Sequence, residues 1–223
     1  MTRQVLVQHI LDRKSFLCVG LDPDPTRLPK HLPHTTESIA SFCTQIIDAT
    51  LPYCVAYKPN FAFFEAFGLA GYQALELVMD YIPDTHLTIA DAKRGDIGNT
   101  ARQYAKATFD QLGADAITVA PYMGRDSVTP FLEWTDKWVI LLAATSNAGA
   151  QDFQFIEDAN GTPLYQRVLK TASDWATPEQ LMFVVGATRP ELLGDIRRII
   201  PDHFLLVPGV GAQGGSLAEV CRY

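Results

Sequence analysis

The chain has 223 residues, of which 48% are hydrophobic and 19% charged, and its formal net charge is -7. This composition is typical of a globular protein and excludes general disorder. Lysine and arginine are scattered along the chain rather than clustered, so no surface for nucleic acid or for an anionic membrane is predicted.

The sequence also lacks the features of a membrane or secreted protein. No apolar run reaches the roughly 18 residues that a membrane span needs, and the N-terminus has no signal-peptide core. We therefore expect a cytoplasmic protein. The cysteines show no Cys-x-x-Cys spacing and the histidines no metal-ligand spacing, so we expect reduced structural thiols and no bound metal. The cysteines are Cys18, Cys43, Cys54 and Cys221.

Short apolar runs alternate with helical patterns along the whole chain. The predicted strands are 16–21, 53–57, 87–90, 116–120, 138–144, 181–185 and 204–207. Amphipathic periodicity predicts a helix over residues 3–12 and further helices that carry Tyr72 and Ala101. Capping residues predict helices that begin at Thr35 or Thr36, at Thr188 and at Ser216. No linker or composition break interrupts the pattern. It predicts one domain over residues 1–223, built on a parallel sheet with both faces covered.

Doubly wound sheets and (β/α)8 barrels share this alternation, but they use the ends of their strands differently. A doubly wound sheet carries function near its switch point, whereas every strand of a barrel ends at one mouth. Polar residues close most of the predicted strands here: Asp22, Lys58, Asp91, Ser146 and Gln213. We therefore predict an α/β (β/α)8 TIM barrel. Because barrels usually take about 250 residues, we expect the eighth strand to be missing from this sequence.

The stretch 87–100 carries the strongest chemical signal. Its apolar run ends in Asp91, Lys93 and Asp96. Side chains alternate along a strand, so Asp91 and Lys93 are expected on one face, followed by a turn at Gly95 and a helix that begins at Asp96. Charges at the end of a buried strand are costly unless they are paired or used in function. A purely structural ion pair and a helix-capping role for Asp96 remain open.

Other positions also allow a structural interpretation. Asp22 fits a turn, the aliphatic stem of Lys58 can cover the end of a strand, and Ser146 lacks a G-x-S-x-G motif. The segment 209–214 matches G-x-G-x-x-G, but it follows the seventh strand, so a monophosphate site is favoured over a dinucleotide site. We expect the polar loop Asn147–Thr162 to be a lid that orders over a bound ligand.

Four segments together resemble the orotidine 5′-monophosphate decarboxylase family, in its longer bacterial type. Asp-x-Lys-x-x-Asp alone is shared with sugar-phosphate enzymes, but all four segments occur in the order of the decarboxylases, and the resemblance covers essentially the whole chain. The segments are Gly20-Leu-Asp-Pro-Asp24, Tyr57-Lys-Pro-Asn-Phe-Ala-Phe-Phe-Glu65, Asp91-Ala-Lys-Arg-Gly-Asp-Ile-Gly-Asn-Thr100 and Val207-Pro-Gly-Val-Gly-Ala-Gln-Gly214.

The resemblance implies a (β/α)8 barrel that dimerises and shares its active sites. It implies decarboxylation of orotidine 5′-phosphate to UMP and CO2 in pyrimidine biosynthesis, without a metal or an organic cofactor. The implied catalytic residues are Lys58, Asp91, Lys93 and, from the partner subunit, Asp96, with Lys93 stabilising and protonating a carbanion at C6 of the pyrimidine.

The resemblance also implies which residues bind the nucleotide. Asp22 and Thr100 would contact the ribose and Ser146 the pyrimidine, while the base- and phosphate-binding loop would hold Pro208, Val210 and Gln213. Two alternatives remain. One is a Mg²⁺-dependent sugar-phosphate decarboxylase or aldolase of the same barrel superfamily, and the other is a nucleotide-binding barrel without catalysis.

Overall fold

The structure is a computed structural model that describes residues 1–211 and 214–222. Within these residues there are seven β-strands: β1 Cys18–Leu21, β2 Ala56–Pro59, β3 Leu87–Arg94, β4 Ala116–Val119, β5 Trp138–Ala144, β6 Leu181–Val185 and β7 Leu205–Leu206. The α-helices between and around them are α1 Arg3–Arg13, α2 Thr36–Thr50, α3 Ala62–Glu65, α4 Gly68–Tyr81, α5 Gly98–Lys106, α6 Thr129–Leu132, α7 Leu164–Ser173, α8 Leu192–Ile199 and α9 Leu217–Val220.

The chain divides into two compact units, each formed from two stretches of sequence. The first unit comprises Met1–Ala92 and Gln103–Thr118, and the second comprises Lys93–Arg102 and the chain from Val119 onward. In the first unit β1, β2 and β3 pair in parallel and in chain order. In the second unit β5, β6 and β7 do the same.

This strand order confirms the predicted fold class, an α/β protein of the (β/α)8 barrel type. A doubly wound sheet reverses its strand order at a switch point, whereas the described strands of each unit pair in chain order without a reversal. The strands are built for burial on both faces, as expected for parallel sheets covered by helices. All five residues of β6, for example, are buried.

Several local predictions are confirmed by side-chain caps and backbone angles. The Thr35 hydroxyl accepts from the Ser38 N–H at 3.3 Å and caps α2, and Ser216 caps α9. Gly113, which follows the helical segment Ala107–Gln111 that continues α5, has a φ of 67°. Such left-handed backbone is the usual end of a helix, because glycine adopts it without a steric penalty.

Other boundaries differ from the predictions. Strand β2 includes Lys58, and β3 runs through the charged residues as far as Arg94. Helix α8 begins at Leu192 and not at Thr188. The carbonyls of Arg189 and Pro190 accept hydrogen bonds from the N–H groups three residues later in the chain. This tighter turn replaces the first turn of the predicted α-helix. No helix in the part of the chain that the structure describes is long and apolar enough to cross a membrane.

Candidate active site

Lys58 and Asp91, predicted as separate strand-end charges, form an ion pair within the first unit. Lys58 Nζ lies 2.6 Å from Asp91 Oδ2, and the two side chains are 15% and 7% exposed. Strand β2 carries the lysine and its neighbour β3 carries the aspartate. Parallel neighbours bring their carboxyl-end residues to one edge of the sheet, so the pair is a direct result of strand order.

Asp91 has a second side-chain contact. Thr118 Oγ1 on β4 donates to Asp91 Oδ1 at 3.1 Å, and this threonine is only 1% exposed. Each carboxylate oxygen therefore accepts from a different donor. The main-chain carbonyl of Asp91 also accepts from the Phe61 N–H at 3.2 Å, which fixes the backbone at the same point.

The predicted ribose-binding residue Asp22 lies next to this pair along the strand edge. Asn60, two residues after Lys58, donates from Nδ2 to Asp22 Oδ2 at 3.1 Å. The Asn60 N–H donates to the Leu21 carbonyl at 3.1 Å, and Asn60 forms an isolated parallel bridge with Asp91. Asn60 thus links the end of β1 to the end of β3.

The electrostatics of the pair favour a charged lysine. Burial, the largest influence, lowers the pKa of Lys58, but the charge and hydrogen bond of Asp91, with the charge of Asp22, outweigh it, so the pKa of Lys58 is raised. Burial also raises the pKa of the neighbouring Cys18 thiol to about 12, although the Lys58 charge opposes this. Lys58 is therefore an ammonium and Cys18 a neutral thiol at neutral pH.

The backbone at Lys93 departs from the strand pattern. Its φ is 46°, in the left-handed region that non-glycine residues rarely adopt. Side-chain alternation therefore does not extend to Lys93, and the sequence argument that placed it on the same face as Asp91 fails at this residue. The turn was expected at Gly95, which is not among the positive-φ glycines. The strain is at Lys93 itself, and such outliers cluster at functional sites.

Hydrogen bonds hold the chain after Lys93 within the second unit. The Arg94 carbonyl accepts from the Ala120 N–H at 2.8 Å. Asp96 Oδ1 accepts from the N–H of Ile97 at 2.8 Å, whereas α5 begins at Gly98 with a φ of 53°. Asp96 therefore does not directly precede the helix as predicted. Thr100 lies exposed in the first turn of that helix.

Ser146, the predicted pyrimidine contact, follows β5 in the second unit and packs closely against the end of β6. A Cβ added at Gly186 would lie 2.8 Å from both the Cβ and the N of Ser146, so only glycine fits there. Thr188 Oγ1 donates to the Ser146 carbonyl at 3.5 Å. The Ala187 N–H donates to the Pro208 carbonyl at 2.9 Å, which brings a second predicted site residue to the same loop.

The glycine-rich segment after β7 forms a compact turn. The N–H groups of Gly211, Gly214 and Gly215 donate to carbonyls inside the turn at 2.8–3.0 Å. These three N–H groups are therefore engaged within the turn, and the monophosphate site expected in this segment remains a prediction. Val210 is 43% exposed, and the predicted Gln213 lies outside the described residues.

The predicted lid, Asn147–Thr162, makes many contacts with its own unit. Gln154 binds Thr145 through two hydrogen bonds of 2.8 Å. The Arg189 guanidinium lies 4.2 Å from the centre of the Phe155 ring. With the Gln151 amide oxygen turned toward Arg189, that oxygen accepts from Nη1 at 2.9 Å. Ordering on ligand binding remains a prediction.

Three residues of these contact networks were not singled out from the sequence. Thr118 had a detectable signal, because it is a polar residue inside the apolar run of β4. Asn60 is the first residue after β2, two positions beyond Lys58, and the sequence indicated it only as part of a family segment. Gln154 had no signal, since its partner Thr145 lies nine residues away. In the part of the chain that the structure describes, no group of three or more His, Cys, Asp or Glu side chains is arranged to hold a metal ion.

Comparison with known proteins identifies the relatives of this chain. A relative from Bacteroides fragilis named orotidine 5′-phosphate decarboxylase is 56% identical over 226 residues, which cover 100% of this chain and 82% of the relative. The structure of Leishmania donovani OMP decarboxylase is 40% identical with a TM-score of 0.84, and the match covers 94% of this chain and 80% of that one.

A third match is more distant. The structure of orotidine 5′-monophosphate decarboxylase from Methanocaldococcus jannaschii, complexed with the inhibitor BMP, is 25% identical with a TM-score of 0.69, covering 93% of this chain and 84% of that one. The family model described as orotidine 5′-phosphate decarboxylase / HUMPS matches residues 15–222. The chain therefore belongs to the orotidine 5′-phosphate decarboxylase / HUMPS family.

Proposed function

We propose that this chain decarboxylates orotidine 5′-phosphate to UMP and CO2 in pyrimidine biosynthesis. The observation that carries the proposal is the buried ion pair of Lys58 with Asp91, placed in segments that match relatives named for this reaction over the full chain. A buried charged pair beside the end of a strand is the kind of site where catalytic groups are held ready.

The proposed chemical step is carried by Lys93. The bond from C6 of the pyrimidine to the carboxylate breaks, CO2 leaves, and the electron pair stays on C6. That carbanion lies in the plane of the ring, where the π-system cannot delocalise it. The Lys93 ammonium stabilises it and then gives C6 a proton. Lys58 holds Asp91 in position, and Asp91 lies against the substrate carboxylate.

Repulsion between Asp91 and that carboxylate is too weak to drive the reaction alone. Two like charges about 4 Å apart at an effective dielectric near 20 repel by about 4 kcal/mol. Enzymatic accelerations require barrier reductions of roughly 8–23 kcal/mol. Stabilisation of the carbanion by a preorganised ammonium group therefore supplies much of the remaining reduction in the barrier. Binding energy from the distant phosphate contributes as well.

The remaining residues are assigned to substrate binding. Asp22 and Thr100 bind ribose hydroxyls, Ser146 contacts the pyrimidine, and Pro208, Val210 and Gln213 form the base- and phosphate-binding loop. The hydrogen bond from Asn60 to Asp22 supports the ribose assignment, because it holds one carboxylate oxygen in a fixed direction. The BMP complex of the M. jannaschii relative supports a nucleotide monophosphate as the ligand class.

We also propose a cytoplasmic homodimer in which Asp96 and Thr100 complete the partner's site. The exposed Ile97 beside Asp96, with 52% of its surface accessible, supports a contact at this point of the chain. The cysteines are free thiols, which suits a reducing compartment. Mixing Lys93→Ala with Asp96→Ala protein tests the shared site, since mixed dimers should regain activity that neither variant has alone.

The reaction itself is tested by following the ultraviolet absorbance of orotidine 5′-phosphate, with and without EDTA. We expect turnover that EDTA leaves unchanged, and a Lys93→Ala variant that binds UMP but does not turn over. Loss of turnover with EDTA would favour the alternative reading of the sequence, a Mg²⁺-dependent sugar-phosphate decarboxylase or aldolase. If the unaltered protein binds UMP but shows no turnover, the second alternative, a nucleotide-binding barrel without catalysis, would be favoured.

A further inference from the structure

Within the Asn147–Thr162 segment, the side chain of Gln154 binds Thr145 at the end of β5, through both its main chain and its hydroxyl. Its Oε1 accepts from the Thr145 N–H at 2.8 Å. Its Nε2 donates to Thr145 Oγ1, also at 2.8 Å. One amide thus holds both the backbone and the hydroxyl of the residue that immediately precedes Ser146.

The direction of these bonds is fixed by their chemistry. Thr145 Oγ1 accepts from Gln154 and donates to Asn147 Oδ1 at 2.6 Å. The hydroxyl proton therefore points toward Asn147, on the far side of Ser146 in the sequence. A glutamate at position 154 keeps the length of the side chain but has no N–H to donate, so it cannot hold the hydroxyl in this orientation.

Gln154 is itself anchored at both backbone groups. Its N–H donates to the Ala150 carbonyl at 2.9 Å, and its carbonyl accepts from the Tyr165 N–H at 2.9 Å, at the start of α7. The neighbouring Phe155 ring lies 5.3 Å from the Tyr165 ring and under the Arg189 guanidinium. Gln154 therefore connects the start of α7, through its main chain, to the end of β5, through its side-chain amide.

On its other side Ser146 is confined by β6. Gly186 leaves no room for a Cβ beside Ser146, and Thr188 donates to the Ser146 carbonyl. Backbone packing therefore limits movement of Ser146 toward β6. On the side of the Asn147–Thr162 segment, the Gln154 amide restrains Ser146 by holding the preceding Thr145. Removing that amide should release Thr145, and through it should loosen Ser146 on the side of the Asn147–Thr162 segment.

We propose that Gln154 is a positioning residue that sets Ser146 for recognition of the pyrimidine ring. The inference rests on the proposed function, since it assumes that Ser146 contacts the base. Gln154 has no contact with substrate in this role and acts through Thr145 and Ser146. Its loss should therefore weaken binding of ligands that carry the pyrimidine and spare ligands that lack it.

Inhibition by UMP and by ribose 5-phosphate, measured against orotidine 5′-phosphate turnover, tests this in the full chain. We expect Gln154→Ala to weaken UMP binding about tenfold, the loss of roughly one good hydrogen bond, and to leave ribose 5-phosphate binding unchanged. Gln154→Glu, which keeps the side-chain volume, should show the same selective loss. The control is Gln166→Ala, whose amide binds the Tyr165 hydroxyl at 3.1 Å and should leave both ligands unaffected.

A double-mutant cycle with Ser146→Ala separates positioning from a general structural effect. If Gln154 acts through Ser146, Gln154→Ala should cost little further UMP affinity once Ser146 is alanine. A full additional tenfold loss in that background, or equal weakening of UMP and ribose 5-phosphate, would overturn the inference while the proposed function stands. An unaltered protein that neither binds UMP nor turns over substrate would overturn both.

Discussion

Lys58 Nζ and Asp91 Oδ2 lie 2.6 Å apart, with the lysine 15% and the aspartate 7% exposed. Thr118 occupies the other carboxylate oxygen, so the aspartate is fixed from two strands at once. A buried pair of this kind is weak support for stability by itself, because desolvation offsets much of the attraction. Asp91 also precedes the predicted catalytic Lys93 by two residues in the sequence, and perturbed buried charges of this kind often have a functional reason.

Breaking this pair should cost both stability and turnover. Lys58→Met leaves Asp91 buried without its cation, and removing one partner of a buried pair costs about 3 kcal/mol. We expect a loss of this order in the free energy of unfolding, measured with urea, and a loss of most turnover. The control is Arg102→Ala, which breaks the exposed pair of Arg102 with Glu133 (49% and 48% exposed) and should change neither quantity measurably. Equal losses in both variants would contradict the special role of the buried pair.

The same pair predicts a pH dependence of stability. Because the pKa of Lys58 is raised in the folded protein, the folded state binds this proton more tightly than the unfolded chain does. The stabilisation is fully present below the unfolded lysine value of about 10.4 and is lost as the pH rises through the higher folded value. The free energies of unfolding of the unaltered protein and of Lys58→Met, measured with urea, should therefore differ by a constant amount from neutral to mildly alkaline pH. A difference that already falls near neutral pH would contradict this.

Strand order and the Lys58–Asp91 neighbourhood follow from sequence because they depend on regular features. Apolar runs bounded by turn residues locate the strands, and parallel neighbours place the end of β2 beside the end of β3. The left-handed backbone of Lys93 was missed, because strand alternation assumes an extended chain. The Gln154 amide was missed for another reason, since it binds across a turn whose path no local pattern specifies. Periodicity predicts elements, whereas irregular backbone and long-range side-chain contacts depend on tertiary packing.

The Asn147–Thr162 segment should be held by Arg189. This guanidinium packs on the Phe155 ring and bonds the Gln151 amide, so Arg189→Ala should raise amide hydrogen exchange in the segment without ligand. A nucleotide analogue should lower exchange in the unaltered protein, as expected of a lid. Arg198→Ala, which removes an exposed arginine of α8 that pairs with Asp195, is the control and should leave exchange in the segment unchanged. Identical exchange with and without the analogue would argue against a lid.

The strain at Lys93 predicts a separation of stability from activity. A non-glycine residue in left-handed backbone costs roughly 1 kcal/mol. Lys93→Gly should therefore have a free energy of unfolding higher by about this amount than Lys93→Ala, which loses the same side-chain contacts, and it should abolish turnover. Lys93→Ala should also abolish turnover, but without the gain in stability, because alanine has the same steric conflict.

Lys14 provides the matched control for this experiment. It ends α1 with a φ of 51° and has no predicted role in the site. Lys14→Gly should therefore stabilise the protein by a similar amount, about 1 kcal/mol, and leave turnover unchanged. Stabilisation by Lys14→Gly together with destabilisation by Lys93→Gly would indicate that the Lys93 side chain contributes more to the fold than its backbone costs. The expected pattern is that Lys14→Gly gains stability, that Lys93→Gly is more stable than Lys93→Ala, and that only the changes at Lys93 lose turnover. It would mean that this chain keeps backbone strain at Lys93 because its reaction needs the ammonium there.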